Sequence, residues 1–242
     1  MTLPAIETPT YELVLPSNGK KIKFRPFLVK EEKILILALE SQNSDQIVNS
    51  VKQVLKNCLL TKGINVDKLP TFDIEYFFLN IRAKSIGESI KIVVTCADDG
   101  ETEVPVTIFV DEIKVEKHPD HNIDISLGNK TLRMKYPSLT EFVESNFEIN
   151  NNETLEEQVD RSFKPIASCL DMLYTDDEAW DFSSYTEKEK IEFIGKLTSK
   201  QYKDVDKFFN TMPKLYHELE VENPNTGVKN RVVLEGLKDF FA

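Results

Sequence analysis

The sequence predicts an α+β fold, a helical core carrying several antiparallel β-hairpins. Three observations predict it. Apolar residues recur at helical spacing over 29–42, 45–60 and 71–86. Short alternating apolar/polar runs flank Asn-Gly and other glycine turns near both ends of the chain. Two stretches also share the frame strand, X-x-x-X-Gly, strand: Cys96-Ala97-Asp98-Asp99-Gly100 and Asn223-Pro224-Asn225-Thr226-Gly227. In a zinc ribbon both X positions are Cys, because two thiolates three residues apart on a tight turn reach one ion while Gly lets the chain turn beneath it. Here the ligand positions hold Cys96, Asp99, Asn223 and Thr226. A closed zinc site needs about four good ligands, so these read as degenerate zinc-ribbon-like hairpins with no metal.

The elements follow in order. Tyr11, Leu13 and Leu15 alternate with polar neighbours, Asn18-Gly19 turns the chain, and 21–24 alternates again, giving a first hairpin that Pro26 ends. Residues 29–42 form a helix with an acidic first turn and an apolar face of Ile34, Leu35, Leu37 and Ala38. Ser44 caps a second helix to Leu60, and Gly63 stops it. A third opens at Pro70-Thr71, buries Phe72, Ile74, Phe77, Phe78 and Ile81, and closes at Gly87. The first knuckle-like hairpin follows. Residues 123–127 and 131–136 are short strands joined by Gly128-Asn129. Ser138 caps a short helix to Ser145, and the polar Asn150-Asn151-Asn152 run marks a boundary. Residues 153–174 read as a long helix that Pro165 kinks or splits, and Trp180 to Tyr185 as a loop. Thr186-Glu187-Lys188-Glu189 is a capping box opening a helix to Leu197, and another runs from Ser199 to Met212. The second knuckle-like hairpin and an Asp239-Phe240-Phe241-Ala242 tail complete the chain. The order suggests two hairpin–helices–hairpin halves, 1–116 and 117–242, read either as a pseudo-repeat or as parts of one compact domain.

The 242 residues are 40% hydrophobic, enough for a core. A net charge of −11 disfavours a phosphate backbone and favours basic or neutral partner surfaces, so no nucleic-acid partner is expected. No run approaches the roughly 18 apolar residues of a membrane span, and the Met1-Thr2-Leu3-Pro4 start has no secretory character. Neither a membrane partner nor secretion is expected. Cys58, Cys96 and Cys169 fit free thiols in a reducing cytoplasm.

No catalytic pattern emerges. There is no phosphate-binding glycine loop and no nucleophile elbow. His118, Asp120 and His121 share one turn without a third and fourth metal ligand, which favours solvated turn residues. The acidic clusters at 98–99, 153–157 and 176–178 lack calcium-loop spacing and read as solvated faces. No catalytic residue and no cofactor are assigned. Trp180, Phe182 and Tyr185 are either partner anchors or a plug between helices, and Phe240 and Phe241 either tuck onto the domain or dock a partner. Exposed hairpin edges add strands that could pair with another chain.

The run Leu13-Val14-Leu15-Pro16-Ser17, followed by Ile22-Lys23-Phe24-Arg25-Pro26-Phe27-Leu28-Val29-Lys30-Glu31-Glu32-Lys33-Ile34-Leu35, resembles the baseplate hub assembly family of T4-like bacteriophages. So do Asn80-Ile81-Arg82-Ala83-Lys84-Ser85-Ile86-Gly87-Glu88 and the closing Leu234-Glu235-Gly236-Leu237-Lys238-Asp239-Phe240-Phe241. The resemblance spans the chain. It implies a non-enzymatic phage tail assembly protein that promotes or forms the central hub of a contractile-tail baseplate. Its partners would be hub proteins, met in the host cytoplasm or in the virion baseplate. It also implies Cys-x-x-Cys-Gly ribbons in related proteins, from which Asp99, Asn223 and Thr226 depart. Within Phe24-Arg25-Pro26-Phe27-Leu28 the two phenylalanines read as hairpin–helix core and Arg25 as a buried ion-pair partner. Two readings from other classes stay open: a ribbon-like binding module of another kind, and a hydrolase built on a carboxylate pair. The oligomeric state is left open by the sequence.

Overall fold

The computed structural model describes residues 7–41, 44–138 and 163–239. Along the chain run β1 (Tyr11–Val14), β2 (Lys21–Phe24), α1 (Val29–Glu40), α2 (Ser44–Cys58), α3 (Thr71–Ile86), β3 (Ser89–Thr95), β4 (Glu103–Phe109) and β5 (Lys114–Glu116). Then come β6 (Asp124–Ser126), β7 (Thr131–Met134), a helical stretch at 163–168, β8 (Leu170–Tyr174) and β9 (Ala179–Asp181). The chain closes with α4 (Glu187–Gly195), α5 (Ser199–Thr211), β10 (Lys214–Glu222), β11 (Lys229–Glu235) and α6 (Gly236–Asp239). The class is α+β, as predicted.

Contacts divide the chain into two compact units. The first takes residues 1–66, 72–116 and 214–242; the second takes 67–71 and 117–213. The closing hairpin thus belongs with the first 116 residues.

In the first unit β1 and β2 form a two-stranded hairpin, as do β3 and β4. β10 lies between β11 and β5, antiparallel to both. The alternation of β3 is complete: Ile90, Ile92 and Val94 are buried while Ser89, Lys91, Val93 and Thr95 face out. The inward residues join Leu79 and Ala83 of α3, Ile108 of β4, Leu215 of β10 and Leu234 of β11 in one core. Burying each such side chain contributes roughly 1.5–3 kcal/mol before entropy is counted. The five residues of α3 expected inside are all buried. Phe24 meets Phe77 edge-to-face at 5.6 Å between ring centroids.

Beside that contact, Arg25 is an ion-pair partner, as its sequence context suggested. Its Nη2 donates to Glu31 Oε1 at 3.1 Å, and the Glu31 side chain is fully buried. Leu28 N donates to the same carboxylate at 2.8 Å. Burial pushes the Glu31 carboxyl up, and the Arg25 and Leu28 hydrogen bonds outweigh it, leaving the group below its ordinary range.

In the second unit a four-stranded antiparallel sheet runs in the order β6-β7-β8-β9. It packs with α4 and α5 around Leu132, Met134, Leu170, Val205 and Phe208. The capping box expected at Thr186 forms: Thr186 N donates to Glu189 Oε2 at 2.8 Å and Glu189 N to Thr186 Oγ1 at 3.4 Å. A second box, Thr198 with Gln201, caps α5, which starts at Ser199 as expected.

Three expectations change. The long helix over 153–174 does not reach its end: 163–168 is helical, but Leu170–Tyr174 is strand β8, paired on both sides. A short apolar run fits a buried strand or a buried helix equally by periodicity, and sheet pairing decides. The Trp180 to Tyr185 loop is strand β9 followed by a 3-10 turn at Phe182–Ser184. On α1, Ala38 is buried and Ile34 and Leu35 are half-buried, but Leu37 is 55% exposed, and the fully buried Glu31 shares the inward side. Residues 139–145 of the short helix expected after Ser138, and residues 153–162, lie outside the described residues.

Candidate functional site

A polar network of the first unit forms where the two knuckle-like turns meet. Each turn is closed in the same way. Gly100 N donates to Cys96 O at 2.9 Å and Gly227 N to Asn223 O at 2.8 Å, with glycine φ of 70° and 73°. The first hairpin repeats this at Leu15 and Gly19, with 2.9 Å and φ 69°. An L side chain resists that left-handed conformation, which is why glycine closes each turn. The residue opening each turn (Leu15, Cys96 or Asn223) is fully buried.

The tips of the second and third turns are tied by side chains. Asn223 Nδ2 donates to Asp98 Oδ1 at 3.0 Å and to Asp99 Oδ2 at 2.8 Å. Thr226 Oγ1 donates to Asp98 Oδ2 at 2.5 Å. Asp98 N donates to Asn230 Oδ1 at 3.0 Å, and Asn230 Nδ2 returns a bond to Asp98 Oδ1 at 2.9 Å. Asn225 Nδ2 reaches Thr102 Oγ1, which itself donates to Asp99. The Thr226, Asn223 and Asn230 donors hold the Asp98 carboxyl below its ordinary range, and Thr102 does most to lower Asp99. Burial pushes the Cys96 thiol up, with the two aspartates adding to it.

The zinc-ribbon likeness is therefore corrected. Cys96 favours its protonated form, Asn223 and Thr226 present donors to carboxylates, and Asp99 is already saturated by donors. That set does not fit a zinc ion. Among the described residues no group of three or more His, Cys, Asp or Glu could hold a metal. The shared frame marks a turn geometry, cross-linked by hydrogen bonds.

The aromatic candidates separate. Trp180, on β9, is half-buried against the core of the second unit, and Lys130 Nζ lies 4.6 Å from its ring centroid. Phe182 is 5% exposed and packs on Phe193 at 5.2 Å, so it is core and not available as an anchor. Tyr185 is 39% exposed. Phe240 and Phe241 lie outside the described residues.

His121 is not a solvated turn residue. It is buried, with Nδ1 3.0 Å from Thr211 Oγ1 and Nε2 2.9 Å from Tyr136 OH. Thr211 Oγ1 donates to Lys207 O at 2.6 Å, so it accepts from His121 Nδ1–H and leaves Nε2 to accept from Tyr136. Burial lowers the His121 pKa, and Lys117 and His118 add to that. His118 Nδ1 accepts from Asp120 N at 3.1 Å. A cleft of about 310 Å³ lies beside this network, lined by Asp120, Asp124, Asp204 and Lys207 among others. Asp124 is held down by a two-pronged bond to Arg133, at 2.8 and 3.0 Å.

The T4 bacteriophage base plate protein model matches residues 8–242. The chain belongs to that family. It is also similar to the baseplate hub assembly protein gp26 of Enterobacteria phage T4, at 24% identity over 236 residues, covering 96% of this chain and 97% of that one. No solved structure matches it. For this base plate family member, sequence reasoning missed the buried His121–Thr211–Tyr136 network and the contact between the two turns. The first has no local signature. The second was hinted at by the shared frame, whose chemistry suggested metal instead. No helix among the described residues is long and apolar enough to cross a membrane.

Proposed function

We propose that this chain is a non-enzymatic tail assembly protein that promotes or forms the central hub of the phage baseplate through protein–protein contacts, acting in the host cytoplasm. The observation that carries this is the end-to-end match to a base plate family and to a relative named for hub assembly. The polar chemistry of the turn joint and the cleft supports the same reading, and Asp73, a buried carboxyl that burial pushes up, accepts from Ser17. The aspartates that meet at the turns are lowered by donors, and Asp124 in the cleft is lowered by Arg133. A hydrolase working through a carboxylate pair needs one member raised to act as an acid. The working surface would comprise Tyr185, the exposed part of Trp180, the Phe240 and Phe241 tail and the open hairpin edges.

The test is assembly in infected cells. Without this chain, tails should lack a central hub, and tagged chain should recover hub components from lysate. Normal hubs formed in its absence would overturn the proposal. Probing finished particles in parallel separates a hub subunit from a factor that leaves.

A further inference from the structure

Helix α1 has two faces. Glu31 and Ala38 point inward and are 0% and 5% exposed. On the opposite side Val29, Lys33, Ile36, Leu37 and Glu40 share an arc of about 100°. Val29 is 81% exposed, Ile36 49% and Leu37 55%. A solvated helix face ordinarily carries polar residues, so an apolar stripe there asks for a cover.

The charges on the stripe indicate which cover fits. Lys33 and Glu40 lie at equal distances, roughly 5 Å along the axis, on either side of a point between Ile36 and Leu37. We propose that this face binds a second copy of the same chain, as an isologous antiparallel helix pair centred on that point. In such a pair Ile36 faces the partner's Leu37, and Lys33 faces the partner's Glu40 at both ends. A parallel pair would set Lys33 against Lys33 and Glu40 against Glu40, so the charges also select the direction. The two ion pairs leave the contact locally neutral within a chain of net charge −11. One helix pair falls below the ~1,200 Å² of a standard interface, so the dimer is a weak, concentration-dependent one. This inference does not rest on the baseplate reading.

Sedimentation of the full chain, from about 1 to about 300 μM, tests it. The average mass should rise from 27.8 kDa towards twice that value. Lys33→Glu should weaken association at least tenfold by setting like charges opposite each other. Lys33→Glu combined with Glu40→Lys should restore it, because the pairs re-form with signs exchanged. Leu37→Asp should abolish it. If that variant fails to fold, the two charge variants, both at exposed positions, carry the test alone. A wild-type chain that stays monomeric throughout would overturn the proposal. So would a double variant no tighter than the single one. Capture of the stripe by a different protein while the chain remains monomeric would overturn it equally.

Discussion

Asn223 reaches across two hairpins to Asp98, its Nδ2 lying 3.0 Å from Oδ1. The same amide serves Asp99, and its own Oδ1 accepts from Asn225 N at 2.8 Å. A fully buried amide thus fixes one turn and bridges to another. Asn223→Ala should cost on the order of 1 kcal/mol, since it removes the hydrogen bonds that a buried amide makes to the exposed Asp98 and Asp99 and within its own turn. Urea denaturation measures this; a loss within error would mean that the cross-link contributes nothing. Chelator should leave the wild-type midpoint unchanged, because hydrogen bonds make the joint.

The same joint sets an acid limit. Asp98 and Asp99 are lowered in the folded state, so the stability they contribute is present above their ordinary pKa of 3.8 and is lost as pH falls below it. Asp98→Asn should flatten that limb in denaturation curves collected between pH 5 and pH 2.

Glu31→Ala should be among the most damaging single substitutions, at about 3–5 kcal/mol. It strands the largely buried Arg25 guanidinium without its carboxylate. Replacing both residues with apolar ones should cost less than the single change, and thermal melts of the pair would show it. If the single and double variants melt alike, the charge left behind is not the source of the cost.

These effects differ in how far the sequence announces them. The first hairpin, α1 to α3 and the Thr186 capping box are legible because turn chemistry and helical spacing are local. Arg25 was legible because it follows Phe24, which is core, and precedes Phe27, which is half-buried where the sequence suggested core. β8 was not: Leu170–Tyr174 is a short apolar run between Cys169 and Thr175, and only its pairing with β7 and β9 makes it a strand. Asp98 and Asn223 stand 125 residues apart, so no local rule joins them. On α1 the crowded Ile34-Leu35-Ile36-Leu37-Ala38 run hides which residues point inward, because every face of it is apolar.

Buried His121 is neutral in the network with Thr211 and Tyr136, and its pKa is lowered from the ordinary 6.5. Its contribution to stability is therefore complete above that value and is lost as pH falls below it. Wild type should lose stability from pH 7.5 to pH 5, and His121→Gln should show a flatter profile over the same range. Parallel profiles for the two proteins would remove His121 as the cause.

The surface aromatics make a prediction that separates packing from partner contact. Trp180 packs on the core of the second unit under Lys130, so Trp180→Ala should cost stability, on the order of 1–3 kcal/mol, whatever it does to binding. Tyr185 is 39% exposed and lies tilted against Phe182, 6.0 Å between ring centroids. Tyr185→Ala should change the melting temperature little. If the aromatic surface anchors a hub partner, the same variant should weaken capture of hub components from infected cells severalfold, because exposed aromatics bury large area at low entropic cost. Removing Phe240 to Ala242 should act in the same sense, sparing the melt and abolishing assembly. Intact assembly in both variants would place the working surface elsewhere. A melting temperature lowered by several degrees on removal of the tail would make those phenylalanines part of the core.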